Sequence, residues 1–125
     1  MESECVVLVA DDEPGVRSFA SRIIKSAGYG VLEARDGVEA LGIVHASGAE
    51  LRLVITDVRM PRLRGDQLAQ RLAEERPEVS VLFMSASPPA GLEMLAEGER
   101  ASRWLRKPFT PGTLTGMVMR CLSDA

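Results

Sequence analysis

Residues 5–15 of the chain read CVVLVADDEPG. The apolar run Val6–Ala10 has the length and composition of a buried β-strand, and three acidic residues, Asp11, Asp12 and Glu13, follow it directly. Two like charges about 4 Å apart repel by roughly 4 kcal/mol at an effective dielectric constant near 20. Carboxylates crowded at the end of a buried strand therefore predict either a water-bathed edge or a site for a cation.

Outward from this stretch, strand-like and helix-like segments alternate along the whole chain. Further predicted strands lie at Val31–Glu33, Leu51–Thr56, Val79–Met84 and Arg103–Arg106. Five strands that alternate with five helices predict a parallel sheet with helices on both faces. The second and fifth strands are the most polar and are predicted edges. We therefore expect an α/β fold, a flavodoxin-like (βα)5 three-layer sandwich with the strand order 2-1-3-4-5.

The predicted helices are bounded by residues that favour helix ends. These residues are Pro14 and Gly28 for the first helix, Asp36 for the second, Gly65–Asp66 and Arg76–Pro77 for the third, and Thr110 for the fifth. Apolar stripes are predicted to face the core, and they consist of Val16, Phe19, Ile23 and Ala27 in the first helix and Val38, Leu41 and Val44 in the second. Two prolines in SPPAGLEMLAEG, residues 87–98, leave room for only a short fourth helix.

Amino-acid composition and net charge argue against a nucleic-acid-binding or membrane protein. The chain has 125 residues, of which 46% are hydrophobic and 26% charged, as expected of one soluble domain over residues 1–125 with its core at about 5–122. A net charge of -3 and 4% aromatic residues argue against nucleic-acid binding. No apolar stretch approaches the roughly 20 residues of a membrane helix, and the acidic N-terminus is unlike a secretory signal. We expect a cytoplasmic protein that contacts no membrane.

Polar side chains follow four of the five predicted strands. Besides the acidic cluster after the first strand, Asp57 follows the third, Ser85 ends the fourth and Lys107 follows the fifth. In an open parallel sheet, ligands bind beyond the carboxyl ends of the strands, at the point where the strand order reverses. These residues are therefore predicted to converge on one functional site.

Four motifs make the chain resemble the receiver domain of two-component response regulators. They are ADDEPG at 10–15, DVRMPRLRG at 57–65, MSA at 84–86 and KPF at 107–109. The resemblance extends from about Val6 to Leu122. It implies that Asp57 accepts a phosphoryl group from the phosphohistidine of a histidine kinase or phosphotransfer protein. The chain would thus be a signalling phosphoacceptor rather than an enzyme with a separate substrate.

The same resemblance assigns roles to the other site residues. Mg²⁺ would be held by Asp11, Asp12, Asp57 and the backbone carbonyl of Arg59. Lys107 would pair with one phosphoryl oxygen and Ser85 would donate a hydrogen bond to another, with a cis bond between Lys107 and Pro108. Glu13 would shape the outer shell of the ion or cap the first helix.

Signal output and phosphoryl lifetime are assigned by resemblance as well. Ser85 and Trp104 would form the conformational switch, although the family more often has Tyr or Phe where Trp104 stands. The alternative for Trp104 is an edge-strand side chain that packs over the fourth helix. Arg59 and Ser87 would tune the rate of hydrolysis. A downstream protein would dock on the face formed by the fourth helix, fifth strand and fifth helix.

Two other functions compete with this one. A Mg²⁺-dependent phosphatase with an aspartate nucleophile would carry an Asp-x-Asp arrangement on the first strand, which the sequence lacks. A degenerate receiver that acts only as a binding module would lack part of the reactive set, whereas every member is present. The chain is expected to be either a free-standing regulator or a receiver from a larger regulator or hybrid histidine kinase.

Overall fold

A computed structural model of the protein describes residues 5–86 and 103–123. Its strands are β1 (Val6–Ala10), β2 (Gly30–Ala34), β3 (Leu51–Asp57), β4 (Ser80–Ser85) and β5 (Arg103–Arg106). Its helices are α1 (Pro14–Ser26), α2 (Gly37–Ala46), α3 (Gly65–Glu75) and a C-terminal helix (Pro111–Ser123). All five predicted strands are confirmed, with boundaries that shift by no more than one residue. The predicted fourth helix lies outside the described residues.

The strands form one parallel sheet in the order β2-β1-β3-β4-β5. This order confirms the predicted flavodoxin-like fold and places β2 and β5 at the edges. Ala10 pairs with Thr56, and Asp57 pairs with Met84, so β1, β3 and β4 end side by side. The direction of the strand order reverses between β1 and β3, which opens a crevice at their carboxyl ends.

The two faces of the sheet bury separate apolar clusters, because successive side chains of a strand point to opposite faces. Val7 and Val9 of β1 pack with α1 and the C-terminal helix, through residues such as Ile24 and Leu114. Leu8 of β1 packs on the opposite face with residues of α2 and α3. Helices therefore cover both faces, as the continuous apolar strands predicted.

Helix α2 departs from its predicted stripe only at Val38, because Val44 is buried and Leu41 packs against the core. Gly37, Ala40 and Val44 are buried, whereas Val38 is 47% exposed. The first turn of α2 packs closely against the loop after β3, since a Cβ atom on Gly37 would lie 2.1 Å from the carbonyl oxygen of Leu63. The loop after β3 therefore rests on the start of α2, and a larger side chain cannot face inward there.

Helix boundaries follow the predicted end signals. The Asp36 carboxylate accepts a hydrogen bond from the Glu39 backbone at 2.8 Å, and the Thr110 hydroxyl accepts one from the Thr113 backbone at 3.1 Å. Both residues are N-caps, as predicted. After α1, Gly28 has a φ angle of +103°, a conformation that glycine adopts without strain. Phe19 of α1 is 43% exposed rather than buried, and its ring stacks on Phe109 with the centroids 5.8 Å apart.

Candidate functional site

Three carboxylates meet at the crevice between the ends of β1 and β3. Asp11, Asp12 and Asp57 each place a carboxylate oxygen within 4.8 Å of the others. Asp11 is fully buried, Asp57 is largely buried, and Asp12 is exposed. The predicted convergence of these residues is confirmed by the geometry, and the cluster is open to water on the side of Asp12.

Lys107 supplies a cation to this cluster from the loop after β5. Its Nζ atom lies 3.0 Å from Oδ2 of Asp11 and 3.3 Å from Oδ2 of Asp57. The Lys107 backbone donates to the Ser85 carbonyl oxygen at 2.9 Å, and the bond between Lys107 and Pro108 is cis, as the resemblance implied. One ammonium group thus contacts both Asp57 and Asp11, which lie 50 and 96 positions before Lys107 in the sequence.

Asp11 is held in a single orientation by its polar contacts. The Glu13 backbone donates to Oδ1 of Asp11 at 2.9 Å, while Lys107 occupies Oδ2. The Asp11 backbone donates to the Ala34 carbonyl oxygen at 3.1 Å and accepts a hydrogen bond from Arg17 at 2.8 Å. The Glu13 backbone therefore has a role in the site, whereas its side chain is exposed and makes no hydrogen bond to Asp11.

The surroundings of Asp57 alter its protonation. Burial raises the pKa of the Asp57 carboxyl, Lys107 opposes this change, and the neighbouring charge of Asp11 adds to it. Burial lowers the pKa of the Lys107 ammonium, but hydrogen bonds and charges from Asp11 and Asp57 outweigh burial and raise the pKa overall. Lys107 therefore stays protonated at neutral pH and forms an ion pair with the Asp57 carboxylate.

Close backbone packing sets the position of Asp57. A Cβ atom on Gly65 would lie 2.0 Å from the Asp57 carbonyl oxygen, so that only glycine allows α3 to begin so near the end of β3. The Gly65 backbone donates to the Val58 carbonyl oxygen at 2.8 Å, which closes the loop between them. In that loop Arg62 has a φ angle of +76°, and its side chain pairs with Asp36 at 3.3 Å.

The donor set fits a hard divalent cation. All three clustered side chains offer carboxylate oxygens, and the exposed position of Asp12 leaves space for water. Mg²⁺ binds through one or two carboxylates and keeps several of its waters. Softer metals prefer imidazole or thiolate ligands, and the described part of the chain brings neither to this cluster.

Ser85, the last residue of β4, contacts Trp104 of the neighbouring strand β5. The indole Nε1 of Trp104 donates towards both the Ser85 hydroxyl oxygen, at 3.1 Å, and the Ser85 carbonyl oxygen, at 3.2 Å. The guanidinium of Arg106 lies 5.4 Å from the centroid of the Trp104 rings, within the range of a cation–π contact. Two residues that the resemblance assigned to one switch are therefore in direct contact.

Two other predicted residues have different outcomes. Arg59 lies two residues beyond Asp57 in the loop after β3, and its side chain is exposed. Ser87 lies outside the described residues. Sequence reasoning missed Arg17 and Glu33, whose side chains meet at 3.2 Å beside Asp11. No local pattern links them, because they are 16 positions apart on α1 and β2.

Comparison with known proteins finds similar domains over nearly the whole chain. A family model described as response regulator receiver domain matches residues 7–119. The chain is 32% identical to Sensor kinase CckA of Brucella abortus over 98% of its own length and 13% of the length of that kinase. It is 28% identical to Response regulator receiver protein CpdR of the same organism, over 95% of this chain and 98% of that protein. Against several relatives the chain spans less than half of their length.

A solved structure agrees in fold. The chemotaxis response regulator CheY4 of Vibrio cholerae superposes with a TM-score of 0.81 and 29% sequence identity, over 95% of this chain and 99% of that one. No helix within residues 5–86 and 103–123 combines the length and hydrophobicity that a membrane crossing requires.

Proposed function

Since this chain belongs to the response regulator receiver domain family of two-component signalling, we propose that Asp57 accepts a phosphoryl group from the phosphohistidine of a histidine kinase or phosphotransfer protein. The observation that carries the proposal is the double contact of Lys107 with Asp11 and Asp57 inside a cluster of three carboxylates. Such a site combines a nucleophile, a fixed cation and oxygen ligands for a metal.

The reaction follows from the positions of these groups. A carboxylate oxygen of Asp57 attacks the phosphorus atom, and the bond from phosphorus to the histidine nitrogen breaks. The imidazole keeps the electron pair and takes up a proton. Lys107 already lies 3.3 Å from an Asp57 oxygen, so its ammonium is in place to neutralise a phosphoryl oxygen. Phosphoryl transfer depends on such positioning and charge stabilisation more than on covalent catalysis.

Asp11, Asp12, Asp57 and the backbone carbonyl of Arg59 would hold Mg²⁺. When bound, the ion would neutralise the clustered carboxylates and the charge that develops on the phosphoryl oxygens. The Asp11 carboxylate is already oriented for metal binding by its contacts with the Glu13 backbone and Lys107. Asp12 is the exposed ligand that faces the entering water and ion.

Ser85 and Trp104 would pass the signal onward. On phosphorylation the Ser85 side chain would move to donate its hydroxyl to a phosphoryl oxygen, and this movement would draw the hydroxyl oxygen away from the Trp104 indole. Trp104 would then change its environment on the face of the fourth helix, β5 and the C-terminal helix, where a downstream protein would dock. Arg59 and Ser87 would tune the rate at which water hydrolyses the phosphoryl group.

The proposal extends to the context of the domain. Residues 1–125 would form one receiver domain in the cytoplasm, without direct contact with nucleic acid. It would act as a free-standing regulator or as part of a larger regulator or hybrid histidine kinase. Its chemistry would be limited to its own phosphorylation and dephosphorylation.

A small phosphodonor tests the central step. The chain is incubated with Mg²⁺ and acetyl phosphate, and intact mass spectrometry is expected to show one added phosphoryl group that is absent in EDTA. Asp57→Asn should abolish the adduct, whereas Asp66→Asn, at an acid on α3, should keep it. Phosphorylation of the Asp57→Asn variant would show that a residue other than Asp57 is the acceptor. Steady phosphate release without any adduct would favour the phosphatase alternative.

A further inference from the structure

We propose that Arg17 is a positioning residue for the metal-binding end of β1, held in place by Glu33 and acting on the divalent cation through the Asp11 backbone. The inference rests on the proposed function, because it concerns how the same site binds its metal. Arg17 is the fourth residue of α1, and its side chain is only 15% exposed. It belongs to none of the motifs that define the site.

The guanidinium of Arg17 bridges two structural elements. Its Nη1 atom donates to the Asp11 carbonyl oxygen at 2.8 Å, and its Nε atom donates to Oε1 of Glu33 on β2 at 3.2 Å. A guanidinium is planar and presents its donors in a rigid fork. When Glu33 fixes one edge of the fork, the direction of the donor that reaches Asp11 is fixed as well.

Asp11 needs this donor because it lies one residue past the end of β1. Its backbone N–H still pairs with the neighbouring strand, at 3.1 Å from the Ala34 carbonyl oxygen. Its carbonyl oxygen instead accepts from the Arg17 side chain. A fully buried carbonyl requires a partner, and α1 supplies one where the β-ladder no longer does.

The four polar contacts of Asp11 divide into two sets. Ala34 and Arg17 fix its backbone relative to β2, while Glu13 and Lys107 orient its carboxylate. The second set is the one that metal binding would affect, because the ion would share the Asp11 carboxylate with Lys107 and the Glu13 backbone. The first set is free to stay unchanged. Arg17 therefore holds the ligand still while its partners rearrange.

Mg²⁺ makes such support effective, because it demands near-ideal octahedral geometry and tolerates little displacement of a ligand. Residues that orient metal ligands typically change metal affinity by about 10- to 100-fold when they are removed. The opposite charges of Arg17 and Glu33 largely offset each other. The contribution of Arg17 to metal binding is therefore one of position rather than of charge.

The test compares variants by direct Mg²⁺ calorimetry. In the double variant Arg17→Met with Glu33→Gln, one positive and one negative charge are removed, so the net charge stays at -3. Its Mg²⁺ dissociation constant should rise about tenfold. Arg22→Met, at an exposed arginine of the same helix, should leave the constant within about twofold of the parent value.

Two further readouts separate positioning from general loss of structure. In metal-free protein, hydrogen exchange of the Glu13 amide, which donates to Asp11, should accelerate in the double variant while amides in the middle of β3 keep their protection. Phosphorylation by acetyl phosphate should need about tenfold more Mg²⁺ for half-saturation but reach nearly the same rate at saturation.

If the double variant fails to fold, Arg17→Lys decides the question. It keeps the charge but cannot contact Glu33 and Asp11 through one rigid fork, so Mg²⁺ binding should weaken about threefold. An unchanged dissociation constant in every folded Arg17 variant overturns the inference. Failure of the unaltered chain to bind Mg²⁺ would overturn the proposed function instead, so the two failures are distinguishable.

Discussion

The indole Nε1 of Trp104 lies 3.1 Å from the hydroxyl oxygen of Ser85. Phe at this position would have no ring donor, and Tyr would carry its donor at the tip of the ring rather than on its edge, so the bulkier indole gives this domain a polar link between two residues assigned to its switch. The link constrains Ser85 in the unphosphorylated protein. It also makes Trp104, the single tryptophan of the chain, sensitive to the state of Ser85.

Trp104→Phe should favour the phosphorylated conformation. A neutral hydrogen bond contributes about 0.5–1.5 kcal/mol, and phosphorylation would have to break this one. In calorimetry with Mg²⁺ and beryllofluoride, a phosphoryl mimic, the variant should bind the mimic about threefold more tightly. Leu32→Ala, at an exposed residue of β2 on the opposite edge of the sheet, should not share this gain. Weaker binding by Trp104→Phe would show that the indole supports the active state instead.

Asp57→Asn should stabilise the metal-free protein at neutral pH. The raised pKa of Asp57 means that its ionised form is less favourable in the folded chain than in the unfolded one. This destabilisation is fully present above the raised pKa and absent below the unfolded value of about 3.9. The melting temperature in EDTA should therefore exceed that of the parent by a few degrees at pH 7, and the gap should close towards pH 4.

Asp66→Asn is the control, because its effect on stability at neutral pH is expected to have the opposite sign. A hydrogen bond from Arg64 lowers the pKa of Asp66, so its ionised form adds stability above the unfolded pKa and loses it as the pH falls. The pair is partly exposed, and the effect should be small. Equal behaviour of the two variants across this pH range would contradict the assigned environment of Asp57.

Lys107→Ala should separate metal binding from signalling. The ammonium contacts oxygens of both Asp11 and Asp57, so its removal leaves their charges uncompensated and more attractive to a cation. Calorimetry should show Mg²⁺ affinity equal to or higher than that of the parent, and the metal-free variant should melt at a lower temperature. The change in Trp104 fluorescence on phosphorylation should be lost.

Weaker Mg²⁺ binding by Lys107→Ala would contradict that expectation. It would mean that Lys107 chiefly orients Asp11 as a ligand rather than competing with the ion for its carboxylate. A normal fluorescence response would remove Lys107 from the switch.

Gly65→Ala should destabilise the protein and displace Asp57. Its Cβ atom would lie 2.0 Å from the Asp57 carbonyl oxygen, so the start of α3 or the end of β3 must move. Overpacking of this kind destabilises by about 1–3 kcal/mol, which urea unfolding can measure. Phosphorylation by acetyl phosphate should slow as well, because the nucleophile is displaced.

Gly116→Ala is the matched control, because a Cβ atom there meets nothing within 4 Å. Gly116 lies within the C-terminal helix, where alanine is favoured over glycine by about 0.5–1 kcal/mol. The free energy of unfolding should therefore rise slightly, with phosphorylation unchanged. Similar losses in both variants would contradict the packing described at Gly65.

Local features of the sequence predicted most of the helix boundaries and much of the site. Asp36 and Thr110 cap their helices as predicted, because capping depends on residues only three positions apart. The prediction failed for Val38, which is 47% exposed, whereas its neighbour Gly37 packs against Leu63 of the loop after β3. Helical periodicity identifies apolar positions but does not show which neighbour leaves room for them.

The alternation of predicted strands and helices, together with the more polar composition of the second and fifth strands, was sufficient to predict the parallel sheet and its strand order. It also predicted the edge at which Asp11, Asp57 and Lys107 meet. Each of these patterns is local in the sequence. Together they predict one common site, because the carboxyl ends of parallel strands all lie at the same edge of the sheet. The bridge from Arg17 to Glu33 and Asp11, and the contact of Trp104 with Ser85, depended on packing in three dimensions. The contacts of Arg17 with Glu33 and of Trp104 with Ser85 join residues 16 and 19 positions apart, and they depend on the reach and direction of side chains, which no local spacing in the sequence encodes.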